Sequence, residues 1–369
     1  MAEETAPPRV LLLSDRFEVR ARCAYTLRLA RDLGERGIEP VLACPNADRV
    51  APDVRETLDV RVYPSLRFRR WLGPAAVEPL RRDLADKPFD LIHVQSVSMQ
   101  AAGLWLARVW GVPVVTTVSV VPPGLRVAGL GGACRRVIAI SRTIAGLIDD
   151  VKAVPADKVE VIVSGVDVAE EPPSPVFAAG RVPVLGTAGP LEMDKGVGYF
   201  LGAAAKLIEA GRDAEFLVAG SGPEERNLRR LARDLGLGGR TTFVPNLYDF
   251  AESFAAIDVF CLPSLSQGLG VTMLEAMAVG RPVVASRLGG VAEIVDDGVT
   301  GLIAEPADAD DLAAKLGELL DHPARARALG DAGLARVRER FTAERMVDET
   351  AELYRDVLAL NGDDTEDGT

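Results

Sequence analysis

With 369 residues, 48% hydrophobic and 26% charged, the chain is too apolar to be disordered and longer than one core usually grows, so two domains are expected. A formal net charge of −12 excludes wholesale binding to nucleic acid, which needs a positive surface to neutralise phosphates. The imbalance is one-sided: residues 1–170 hold 23 Lys+Arg against 21 Asp+Glu and the remainder 19 against 33, or +2 and −14.

The first ten residues, MAEETAPPRV, are acidic and lack the apolar run of a signal peptide, and no later run reaches membrane-spanning length. Cys23, Cys44, Cys134 and Cys261 are scattered, with no Cys-x-x-Cys pair and no His cluster, so neither zinc nor a disulfide framework is signalled. A cytoplasmic protein is the expectation. Val10–Ser14 reads as a strand, Tyr25–Arg36 as a helix stopped by Gly37, and Val41–Cys44, Val60–Tyr63 and Leu91–Val94 as further strands. Ala101–Trp110 then reads as a helix and Val114–Val118 as a buried strand. Apolar strands alternating with helices predict a parallel sheet covered on both faces. Between them, Arg61–Arg82 mixes arginines with Phe68, Trp71 and Leu72. It is expected as an amphipathic connection with its aromatics packed inward, the alternative being weak peripheral membrane contact.

The Pro-rich segment Ala169–Arg181 suits neither a central strand nor a helix interior, and the interdomain linker is expected there. Beyond it the alternation resumes. Strands are expected at Val184–Gly186, Glu215–Ala219, Thr242–Val244, Val259–Leu262 and Val283–Ala285, and helices at Gly198–Ala210, Glu224–Leu235, Asp310–Leu320, Ala324–Arg340 and Ala343–Leu360. The acidic end, 361–369, reads as a disordered tail. Domains are therefore expected at 1–170 and 171–342, with the helix 343–360 returning toward the first. Ligands of such sheets bind beyond the strand C-termini, here in a cleft between two facing domains.

The most informative segment is Pro263–Gly290, PSLSQGLGVTMLEAMAVGRPVVASRLGG, where a strand ends and a glycine-punctuated loop opens a helix near Val271. A helix start offers free amides and a positive dipole end, suited to an anion or to sugar hydroxyls. Glu275 lies one turn further in, where a carboxylate can accept both hydroxyls of a ribose. The plain alternative is an ordinary strand–helix–strand unit with packing glycines.

With FDLIHVQS at Phe89–Ser96, GVPVVTTVS at Gly111–Ser119, RRVIAIS at Arg135–Ser141, VEVIVSGVDV at Val159–Val168, AGPLEMDKG at Ala188–Gly196, VAGSGPE at Val218–Glu224, DVFCLPS at Asp258–Ser264 and GGVAEIVDDGVTGLI at Gly289–Ile303, the chain resembles retaining glycosyltransferases of family 4. The resemblance covers nearly its whole length. It implies the α/β fold called GT-B: two Rossmann-like, doubly wound parallel-sheet domains facing an interdomain cleft. It implies a nucleotide-diphosphate sugar as donor, a small-molecule or glycan acceptor, and no cofactor or metal. It also implies roles by position. Lys195 contacts the donor diphosphate, Glu275 holds the ribose, and the amides of Gly268, Leu269 and Gly270 face sugar and phosphates. Gly220 belongs to the turn lining the nucleotide pocket, and Asn246 and Leu247 sit where the family contacts the base. A solvated lysine at a helix start is the plain reading of Lys195.

Departures bear on activity. Gln267 stands for the first glutamate of the family's Glu-x7-Glu element, so it can hydrogen-bond a sugar but offers no carboxylate. Pro190 replaces the diphosphate-binding arginine. Ser119 stands for a histidine and Ser164 for an asparagine. Ser14–Ala24 lacks the usual glycine pair and carries Arg16, Arg20 and Arg22, which either meet an anionic acceptor, supply the cation missing at Pro190, or are solvated. His93 ends a strand near the family's acceptor site and is either catalytic or structural. The expected reaction is sugar transfer with retention, involving Lys195, Gln267 and His93, with Arg16 and Ser119 on the acceptor side. A catalytically silent partner protein and a nucleotide-sugar epimerase are the alternatives. A monomer or homodimer is expected.

Overall fold

The computed structural model describes residues 6–366 apart from 16, 18–21, 49, 51, 122–132, 151–153, 169–174 and 246–249. The chain divides into two units: Met1–Ser164 with Glu344–Thr369, and Gly165–Ala343.

The first unit is a seven-stranded parallel sheet built from β1 (Arg9–Leu13), β2 (Glu39–Cys44), β3 (Val60–Val62), β4 (Leu91–Val94), β5 (Val114–Val118), β6 (Cys134–Ala139) and β7 (Val159–Val161). Its order is β3-β2-β1-β4-β5-β6-β7, so the winding reverses between β1 and β4. All four residues of β4 and all five of β5 are buried, which is why those strands read as mostly apolar runs, broken by His93, Thr116 and Thr117. The helices Arg22–Asp32 and Gln100–Trp110 cross between strands. Gly37 and Gly111, at φ 72° and 71°, supply the left-handed residues that end the crossings. β6 and β7 are additions to the strands that periodicity predicts; Arg135 and Arg136 inside β6 break the apolar pattern that signals one.

The last helix runs Ala343–Glu366, beyond the expected end at Leu360 and into the acidic stretch expected to be disordered. Its apolar stripe, Met346, Val347, Ala351, Leu353, Tyr354 and Val357, lies in the same core as Val10, Leu12, Leu29 and Leu91. Burial of that stripe, rather than the helix propensity of its polar end, fixes the element.

The second unit is a six-stranded parallel sheet: β8 (Val184–Ala188), β9 (Glu215–Ala219), β10 (Thr241–Val244), β11 (Val259–Leu262), β12 (Val283–Ser286) and β13 (Leu302–Ala304). Its order is β10-β9-β8-β11-β12-β13, reversing between β8 and β11. Alternate strand residues Leu185, Phe216, Val218, Val259, Cys261 and Val284 share a core with the helices Val197–Glu209 and Ala309–Asp321. On Asp308, at the start of the latter helix, the side chain caps the amides of Asp310 and Asp311 at 2.9 and 3.0 Å.

The linker expected at Ala169–Arg181 is displaced, since the chain passes between units at Ser164–Gly165 and at Ala343–Glu344. Within the second unit Val166 bridges to Thr342, and a Cβ on Gly165 would overlap the Thr342 carbonyl. The described part of the Pro-rich segment belongs to the second unit. The fully buried Asp258 carboxylate accepts from the Phe177 amide, the Arg181 guanidinium at 2.7 Å and the Val184 amide at 2.8 Å. A buried carboxylate needs such donors, and two of them, from Phe177 and Arg181, tie down a stretch that composition alone marks as loose.

Candidate functional site

In the second sheet the loops leaving β9, β8, β11 and β12 interlock in that order. A Cβ on Gly220, at φ 148°, would overlap the Gly189 carbonyl oxygen, and one on Gly222 would overlap that of Leu191. The Gly189 amide donates to Ala219 O at 2.9 Å, and Leu191 to Ser221 O at 3.0 Å. One loop further, a Cβ on Gly196, at φ 64°, would overlap the Pro263 carbonyl oxygen. Here the Leu265 and Ser266 amides donate to Asp194 O at 2.8 and 3.3 Å. Gly289 lies against the Gln267 carbonyl in the same manner, and the Gly290 amide donates to Gly268 O at 2.6 Å. Backbone approaching backbone this closely leaves no room for side chains. The result is an amide-rich surface at the reversal between β8 and β11, where open α/β sheets bind ligands.

Lys195 closes the turn Met193–Lys195 just before the helix Val197–Glu209. Its ammonium meets the Asp194 carboxylate at 2.9 Å, with both side chains partly exposed. Such a pair is worth at most about 1 kcal/mol, so an anion of higher charge can take the ammonium from it. Gly270, at φ 94°, begins the helix Val271–Ala278 without a side-chain cap. Glu275 is partly buried on that helix. Gln267 is held at both ends: its carbonyl lies under Gly289, and its Oε1 accepts from the Ser264 hydroxyl at 3.2 Å. That bond leaves the amide nitrogen as the group Gln267 has to offer a ligand. Among the described residues no three His, Cys, Asp or Glu side chains are grouped to hold a metal.

Lys195, Gly220, Gln267, Gly268, Leu269, Gly270 and Glu275 thus all lie on loops or helix starts of one edge of this sheet. The Leu269 side chain is buried and supports the loop. Asn246 and Leu247 lie outside the described residues, as does Arg16.

In the first unit the placement of His93 corrects its catalytic reading. It is 0% exposed, with Nδ1 bonded to the Tyr354 hydroxyl at 2.5 Å and Nε2 to the Thr117 hydroxyl at 2.7 Å. The rings of Tyr25 and Tyr354 stand edge-on to it. Burial holds its pKa down at about 3, so the ring is neutral, with both nitrogens occupied. This is a core histidine keying the last helix to β4. Ser119, partly buried, follows β5.

A cluster that sequence reasoning misses lies where this sheet reverses, behind β1 and β4. The Thr26 hydroxyl donates to Gln95 Oε1 at 3.1 Å, and the Ser98 hydroxyl to Asp15 Oδ2 at 2.7 Å, with Ser96 Oγ 2.8 Å from Ser98 Oγ. The Gln95 amide nitrogen is buried without a partner. The signal is present as polar residues directly after two buried strands, Ser14-Asp15 and Gln95-Ser96, but no spacing rule singles them out.

Comparison with known proteins agrees with this geometry. The family model described as Glycosyltransferase Family 4 matches residues 24–170, and that described as Glycosyl transferases group 1 matches residues 182–322. An alpha-D-kanosaminyltransferase of Streptomyces kanamyceticus is 30% identical over 177 residues, 47% of this chain and 46% of that protein; the match thus spans about half the length of that relative. A 2-deoxystreptamine glucosyltransferase of the same organism is 32% identical over 351 residues, 81% of this chain and 89% of that protein. A D-inositol 3-phosphate glycosyltransferase of Acidothermus cellulolyticus is 30% identical over 91% of this chain and 85% of its own. Among solved structures, Anabaena Alr3699/HepE in complex with UDP and glucose has a TM-score of 0.78 at 19% identity, covering 95% of this chain and 100% of that one.

Proposed function

The chain belongs to glycosyltransferase family 4, and we propose that it moves a sugar from a nucleotide-diphosphate donor to a small, hydroxyl-rich acceptor, with retention at the anomeric carbon and without a metal. The observation that carries this reading is the interlocked glycine edge at the β8/β11 reversal, with Lys195 beside it. The relatives named for 2-deoxystreptamine and for D-inositol 3-phosphate support the acceptor class.

In this reading the diphosphate takes the Lys195 ammonium from Asp194 and lies against the helix-start amides. Charge growing on the leaving phosphate is then met by groups already in place. Glu275 holds the ribose. Gln267, steadied by Ser264, orients the sugar ring through its amide. With His93 neutral and enclosed, the proton has another destination. An acceptor hydroxyl attacks the anomeric carbon on the face the diphosphate leaves, the carbon–oxygen bond to phosphate breaks, and the hydroxyl proton passes to a departing phosphate oxygen. With Pro190 in place of the family's arginine, Lys195 is the one matched cation left at the diphosphate in this reading.

The test is to incubate the full chain with UDP-, GDP- and dTDP-sugars and small polyol acceptors, in buffer with EDTA, and to follow products by mass spectrometry and NMR. A glycosylated acceptor whose anomeric configuration matches the donor is expected. Activity restored only by a divalent metal would overturn metal independence, and an inverted product would overturn retention. Interconversion of donors without acceptor would point to an epimerase. No product and no nucleotide release from any donor would leave a silent binding protein.

A further inference from the structure

Large apolar side chains reach the surface in both units. In the first, the connection Arg61–Arg82 leaves Phe68, Trp71 and Leu72 56%, 88% and 53% exposed instead of packing them inward as expected, because Leu66, Ala76 and Leu80 already fill its underside. In the second, Met193 and Tyr199 are 77% and 36% exposed, and both line one cavity of about 500 Å³. Such a volume is that of a small-molecule site.

Three segments build the cavity. Leu228, Leu231 and Asp234 recur at three-residue spacing on the helix Glu225–Asp234 and present one stripe to it. Facing Leu231, the helix Val197–Glu209 has Gly198 in its first turn, and the missing side chain makes the room: a Cβ there would already lie 3.6 Å from Leu231 Cδ2. Leu265, on the loop after β11, completes an apolar lining with Val197 and Leu228, both of them buried.

The polar part of the lining is acidic. Glu192, Glu224 and Asp234 stand there against one cation, Arg230, in the half of the chain whose net charge is −14. The Arg230 guanidinium donates to Asn227 Oδ1 at 3.1 Å and the Asn227 amide to Glu224 Oε2 at 3.2 Å, so a neutral side chain stands between those charges. Glu192 and Asp234 form no ion pair among the described residues. The Lys195 ammonium is committed to Asp194. Three carboxylates around an apolar lining repel an anion and draw in a cation. The Tyr199 ring and the Met193 thioether favour an occupant that is both cationic and aromatic.

Occupancy bears on Lys195. Met193 and Gly196, on either side of the turn that carries it, both line the cavity. Leu265 lines it too, and the Leu265 and Ser266 amides donate to Asp194 O. The cavity therefore touches both partners of the joint between the Lys195 turn and the β11 loop. We propose that it binds a small aromatic ammonium, and that this occupant steadies the turn so that a nucleotide diphosphate binds more tightly. The coupling rests on the donor reading of Lys195; the site does not.

The full chain is to be titrated by calorimetry at pH 7.5 with phenethylamine, which is protonated there, and with its uncharged and anionic counterparts, 2-phenylethanol and 3-phenylpropionate. Phenethylamine is expected to bind at least about tenfold more tightly than 2-phenylethanol and to weaken with salt, and 3-phenylpropionate not to bind. Gly198→Leu fills the cavity with a good helix former and should lower phenethylamine affinity at least about tenfold. Asp234→Lys, at an exposed position, should lower it about fivefold or more. With the cavity filled, UDP should bind about fivefold more tightly, and UDP should raise phenethylamine affinity by the same factor. Equal binding of phenethylamine and 2-phenylethanol, or parental affinity in either variant, overturns the site. UDP affinity unchanged by phenethylamine overturns the coupling. UDP bound by neither form overturns the donor reading and the coupling with it, while the site stands on the titrations made without nucleotide.

Discussion

Behind β8 and β11 the chain is shaped by backbone against backbone, whereas behind β1 and β4 it is shaped by side chain against side chain. In the second unit Gly196, Gly220 and Gly289 let carbonyls approach where any Cβ would collide. The edge left is built of backbone rather than of side chains. In the first unit the equivalent reversal is lined by the side-chain pairs Thr26–Gln95 and Ser98–Asp15. We propose that the family's shared donor chemistry uses the first construction and an acceptor chemistry particular to this chain the second.

The strongest way to break the contrast is to add a methyl group to the backbone edge. Gly196→Ala and Gly289→Ala combine a left-handed φ with overlap on a carbonyl, and each should cost about 3 kcal/mol or more, by the size of effects known for strained and overpacked sites. Thermal denaturation checks this; melting within a degree or two of the parent would show that the loops are not interlocked.

Lys195→Ala should leave stability unchanged, because its partner Asp194 is a surface pair. It should cost about 100- to 1,000-fold in kcat, as loss of a preorganised charge at a leaving group does. A drop in melting temperature comparable to that of the glycine variants would instead make Lys195 structural.

His93 sharpens the comparison from the other side, since its part in the first unit is stability and not chemistry. Its pKa lies at about 3 in the folded protein against about 6.5 unfolded. The unfolded chain therefore binds the extra proton first, so the stabilisation is complete above pH 6.5 and is lost as pH falls toward 3. Near pH 5 this amounts to about 2 kcal/mol. Denaturant titrations at pH 7.5 and 5 should show the loss in the parent and little of it in His93→Gln; equal losses in both would assign it to other groups.

The smallest effect is expected at the side-chain construction. Thr26→Val removes the donor to Gln95 Oε1, a bond worth about 1 kcal/mol. It should raise the acceptor KM about fivefold and leave the donor KM unchanged. An effect on the donor KM alone would move this cluster out of the acceptor site.

Much of the architecture is legible in the order of the residues. Leu91–Val94, Val114–Val118, Glu215–Ala219 and Val259–Leu262 are strands with the expected bounds, because strands covered on both faces are mostly apolar. The glycines of Pro263–Gly290 mark the ligand edge for a similar reason, since few positions tolerate only glycine. Facts that depend on distant partners are illegible. His93 reads as a cleft residue until Tyr354, 261 positions away, takes its Nδ1. Ala169–Arg181 reads as a linker until Asp258 collects its donors.

Local pattern, then, determined the two-sheet architecture and the family, since hydrophobic period and glycine placement act over a few residues. Tertiary structure alone decided that His93 belongs to the core, that the chain crosses at Gly165, and that Trp71 faces water. Each of those depends on what fills the adjacent space, and neighbours brought together from across the chain leave no mark at the position they surround.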